Sequence, residues 1–76
     1  MDPRDEALIK SLINKDEDLK RHWEEHLEFE RQLEELNRRV YLTPVEEMER
    51  KRLQKLKLAG RDKMEQILAR HRGATA

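Results

Sequence analysis

The four residues Thr43-Pro44-Val45-Glu46 constrain this chain more than any other stretch. A proline keeps the residue before it out of the helical region, so a helix that precedes Thr43 must end. The same residues start a new one. Thr43 suits an N-cap, Pro44 occupies the first helical position where a missing N–H does no harm, and Glu46 can reach back to the Thr43 amide to complete a capping box. The chain therefore reads as helix, a corner over residues 41–43, and helix. A short corner makes the two helices antiparallel. The expected fold class is all-α: an antiparallel two-helix hairpin, coiled-coil-like, that assembles into a helical bundle.

Assembly enters because the core must be thin. Of the 76 residues, 45% are charged and 36% hydrophobic, so one small domain is all the chain can build, and its core alone offsets chain entropy poorly. A homo-oligomer is expected, with a dimer favoured. Such a charge content also suits a disordered chain, but the net charge is zero and the apolar positions are periodic. The absence of cysteine removes disulfides, thiolate nucleophiles and cysteine-based zinc sites together. The opening Met1-Asp2-Pro3-Arg4-Asp5 is acidic and lacks the apolar centre of a signal peptide, and no apolar run is long enough to span a membrane. A soluble, cytoplasmic protein is the expectation.

Asp2-Pro3-Arg4-Asp5 repeats the helix-start logic, so the first helix is expected from about residue 3 to 40, continuous through the polar stretch Asn14 to Asp18. Leu12, Leu19, His26, Leu33 and Val40 recur every seven residues, with His22, Phe29 and Leu36 between them: a heptad seam. The second helix is expected over about 44–71, with Val45, Met48, Leu53, Leu56, Met64, Ile67 and Leu68 as its apolar stripe. Gly60 lies on that stripe, and Arg70, His71 and Arg72 suit the C-terminal end of a helix that Gly73 stops, leaving a frayed tail over 73–76.

Folding about residues 42 and 43 sets Leu53 near Leu33, Leu56 near Phe29, Gly60 near His26 and Trp23, and Met64 at the level of His22 and Leu19. The expected helix–helix interface is thus Leu19, His22, Trp23, His26, Phe29, Leu33 and Leu36 against Leu53, Leu56, Gly60, Met64 and Ile67. The side chain Gly60 lacks would leave room for the indole or imidazole opposite. The first helix would outreach the second, about 57 Å against about 42 Å at 1.5 Å per residue. Its projecting end carries Leu8, Ile9, Leu12 and Ile13, an arm that a second copy, another protein or a fold-back at Asp16 must cover.

Charge is balanced overall and segregated locally. Asp16 to Glu35 holds nine acids against three bases, while Arg50 to Arg61 holds six bases and no acid. Complementary helix faces are the simplest account. The alternative makes Arg50, Lys51, Lys55, Lys57 and Arg61 an anion-binding face for nucleic acid. That needs several unneutralised cations on one face, and no aromatic residue alternates with these to stack on bases.

His22 and His26 stand one helical turn apart, a spacing that zinc sites use. The Glu of a zinc protease would follow the first His directly, which Trp23 does here, and Asp62 is at best a third ligand. Seam residues that fix helix register are preferred, with no metal and no cofactor expected. Buried imidazoles would charge on acidification and loosen the packing; a stability curve flat between about pH 5 and 8 would remove that idea. Catalysis finds no support: Ser11 is the one serine and no glycine-rich phosphate loop is present. A non-enzymatic protein-interaction or oligomerisation module is the functional expectation.

His26, Phe29, Leu33 and Leu36 resemble the first-helix pattern of the YdcH-like small bacterial proteins. Leu53, Lys55, Lys57, Leu58 and Asp62 match the second-helix signature of that family, Arg61 and Met64 are near matches, and Gln54 and Gly60 depart from it. The resemblance spans about residues 7–68. It implies a bacterial α-helical hairpin from a family whose biochemical role is unknown.

Overall fold

The computed structural model describes residues 2–75, with side chains through Gly73. These residues form three helices: α1 (Pro3–Leu12), α2 (Glu17–Asn37) and α3 (Pro44–Thr75). Each helix start follows the local chemistry of its cap. Asp2 accepts from the Arg4 amide at 2.7 Å ahead of Pro3. At Thr43 the capping box forms in full: the Glu46 amide donates to Thr43 Oγ1 at 3.2 Å and the Thr43 amide donates to Glu46 Oε1 at 3.1 Å.

The single first helix expected over 3–40 is two helices. Asp16 adopts an extended backbone (φ −131°, ψ 101°), and its Oδ1 accepts from the Leu19 amide at 3.1 Å. Asp16, with Glu17 and Asp18 in the first turn, supplies both an N-cap and the negative charge that a helix N-terminus favours. The polar run Asn14 to Asp18 offers no apolar side chain to hold a continuous seam across it. α1 closes where the amides of Lys15 and Asp16 both donate to the Leu12 carbonyl.

Two further boundaries differ from expectation. α2 ends at Asn37 rather than near Val40, so the corner spans residues 38–43 and Val40 leaves the heptad seam. β-branched Val40 and aromatic Tyr41 are poor helix formers, and Pro44 blocks any extension from the other side. α3 passes through Gly73 to Thr75. Gly73 keeps a negative φ, so the left-handed cap expected there does not form. Ala76 lies outside the described residues.

Ion pairs trace how α2 and α3 lie. Arg39 pairs with Glu46 at the corner, Lys57 with Glu30 at mid-length (3.5 Å), and His71 with Asp16 at the far end (3.1 Å). One partner's number rises as the other's falls, which makes the two helices antiparallel. α1 folds back over their far end, where Arg72 reaches Asp5 at 2.5 Å. The result measures 49 × 20 × 16 Å, close to the length of α3 alone.

The main core sits under α1. Ile9, Leu19, Trp23, Met64, Ile67 and Leu68 form one buried cluster, and Leu8, Leu12 and Ile13 pack against it half-buried. The arm expected to project is therefore consumed within the chain: its apolar face needs no second molecule to cover it. Leu33 and Leu53 are also buried but stand apart from this cluster, towards the corner. Gly60 falls between the two groups. A Cβ placed on it would meet nothing within 4 Å, so no indole or imidazole fills the space opposite, contrary to expectation.

Candidate functional site

Of the expected α2–α3 interface residues, Leu19, Trp23, His26, Leu33, Leu53, Met64 and Ile67 are buried, and His22, Phe29, Leu36 and Gly60 are half-buried. Leu56 lies on the same face of α3 as Ile67 and is 39% exposed, so the fold covers it only in part. Ile9 and Leu68, absent from that interface list, are fully buried. The signal for Ile9 lay in the sequence as an uncovered apolar cluster; what covers it was decided by the break at Asp16.

His26 is the one buried polar side chain among the described residues. Its ring stacks on Trp23 with centroids 5.6 Å apart, and its Nε2–H donates to Glu30 Oε1 at 3.0 Å. Lys57 approaches the same oxygen from α3. Burial pushes the His26 pKa below its ordinary value, against the pull of Glu30 and with a further push from Lys57. A neutral imidazole, a carboxylate and an ammonium thus share one site. They edge a groove of about 630 Å³ between α2 and α3, whose walls include Leu33, Glu34, Asn37, Gln54, Leu58 and Arg61. Leu58, 58% exposed, supplies an apolar wall on the α3 side.

Neither His22 Nδ1 nor His26 Nδ1 has a hydrogen-bond partner, His26 Nε2 is committed to Glu30, and no group of three or more His, Cys, Asp or Glu gathers among the described residues. His71 lies at the other end of the chain's core, where its Nε2–H donates to Asp16 Oδ2. That bond, ahead of the Leu19 amide, holds the Asp16 carboxyl below its usual range.

Three of the five basic residues expected to form an anion-binding face are paired with acids. Arg50 pairs with Glu47, Lys57 with Glu30 and Arg61 with Glu65, while Lys51 and Lys55 point to solvent. The acidic and basic stretches are also less complementary than expected. Arg21, Arg31 and Arg38 pair with acids on or next to their own helix, as does Arg52 with Glu49, and Lys57–Glu30 alone joins the two stretches among the described residues. Three or four residues of spacing bring opposite charges together on one helix before a second helix can compete.

The most exposed large apolar side chains among the described residues are at the corner. Val40, Tyr41, Val45 and Met48 are 87%, 88%, 75% and 72% exposed. Val45 and Met48 belonged to the expected stripe of α3, but α2 stops too early to cover them. No helix among the described residues is long and apolar enough to cross a membrane. No protein-family model, curated protein or solved structure matches this chain.

Proposed function

We propose that this chain is a non-enzymatic protein-interaction module that associates with itself, a dimer being the favoured order, and that offers its corner to another protein chain. The observation that carries this reading is the apolar surface of Val40, Tyr41, Val45 and Met48, which the fold leaves to solvent. The resemblance to the YdcH-like proteins and a cytoplasmic location belong to the same proposal.

Two measurements test it. Sedimentation equilibrium across the micromolar range is expected to give a dimer; a monomer at every concentration refutes self-association. A variant with Val40→Lys, Tyr41→Lys and Met48→Lys is expected to lose binding of an apolar fluorescent dye while keeping its helical content. Unchanged dye binding refutes the corner as the interaction surface.

A further inference from the structure

The site that α1 occupies is built for one ligand, namely α1. Ile9 is wholly buried against Leu19, Trp23, Met64, Ile67 and Leu68, and Asp5 meets Arg72 beside them. Any second copy of this chain carries the same arm and the same bed. The connection between α1 and α2 is short and helix-competent. Residues 13–16 contain neither glycine nor proline, Ile13 is already helical (φ −60°, ψ −25°), and none has a positive φ. Asp16 is the extended residue at the start of α2. Rotating it into the helical region lets α1 run on into α2, along the seam that Leu12, Leu19 and His26 already trace.

We propose that two copies of this chain associate by exchanging α1. In the exchanged dimer residues 3–37 form one helix, and each arm lies on the Leu19, Trp23, Met64 and Leu68 of its partner. Every apolar contact of the arm is remade there. What is lost is local to the hinge: the Asp16 cap on the Leu19 amide and the Asp16–His71 bond. What is gained is the helical bonds of the amides of residues 17–19, since those of Ile13, Asp16 and Lys20 already donate four residues back. Exchange of an identical element in this manner needs no new surface complementarity. This inference rests on the self-association proposed above and names its mechanism.

Glu17→Pro separates the two states. In the closed chain residue 17 is the first of α2, behind an extended Asp16, and proline is compatible with both positions. The change would give this helix the Asp-Pro start that Asp2-Pro3 gives α1. In the exchanged dimer the same proline falls inside a continuous helix, where it removes a hydrogen bond and collides with the carbonyl of Ile13. Sedimentation equilibrium on the full chain is expected to show the dimer of Glu17→Pro weakened roughly 100-fold or more, with helical content retained. Asp16→Ala removes the cap of the closed form alone, and is expected to tighten the dimer about tenfold. A Glu17→Pro dimer as tight as the parent, or an Asp16→Ala dimer no tighter, overturns the exchange and leaves self-association through another face. A parent chain that is monomeric throughout refutes self-association and the exchange with it.

Discussion

Gly60→Ala is expected to stabilise this protein, and the reason can be worked from the structure. Gly60 lies in the interior of the 32-residue helix α3, with a negative φ that any residue can adopt. Glycine there is less favourable than alanine by about 0.8–1.0 kcal/mol, because it gives up more backbone freedom on folding. Such a gain is commonly cancelled when the new methyl group collides with a neighbour. Here nothing stands within 4 Å of the added Cβ, so the propensity term survives whole. For a domain of this size, about 1 kcal/mol raises Tm by about 4–8 °C. Thermal unfolding followed by far-UV circular dichroism, at one fixed protein concentration so that association does not shift the midpoint, measures it. An unchanged or lower Tm would mean that another surface does approach Gly60, and would refute the open space assigned to it.

Three further outcomes follow from the local chemistry. Thr43→Ala removes the hydroxyl that accepts from the Glu46 amide, and is expected to lower stability by about 1 kcal/mol in urea unfolding; a loss below a few tenths would mean the capping box contributes little. The depressed pKa of His26 means that the unfolded chain takes up a proton first, so the contribution of this residue is complete above about pH 6.5 and shrinks on acidification. Trp23, Glu30 and Lys57 face the ring, and urea midpoints from pH 7 to 5 are expected to fall more steeply for the parent than for His26→Gln, equal slopes counting against it. Glu28 is held at a pKa of about 2 by its hydrogen bonds to Arg31 and Gln32, and a carboxylate titration followed by NMR is expected to return towards the ordinary glutamate range in Arg31→Ala.

Local chemistry was legible wherever a residue and its immediate neighbours decide the outcome. Asp2-Pro3 and Thr43-Pro44 start helices because capping needs only the first turn and a compatible φ. The heptad positions Leu19, His26 and Leu33 are buried because a period close to that of the helix puts them on one face. Asp16-Glu17-Asp18 carried the same kind of cap signal without a proline to enforce it, which is why a continuous helix competed with the break. The groove beside His26 and the exposed corner were not legible, since each depends on how far two helices approach and on where α2 stops.

The sequence by itself determined that this chain is helical, where α1 and α3 begin, and which faces are apolar, because those properties are set by neighbours within one or two turns. Tertiary structure decided what covers each face. The extended backbone at Asp16 turns Ile9 from an uncovered arm into the lid of the core. The end of α2 at Asn37 leaves Val45 and Met48 bare, and nothing packs against Gly60. Contacts between residues fifty positions apart, such as His71 with Asp16, depend on the sum of all such choices, and no local pattern encodes that sum.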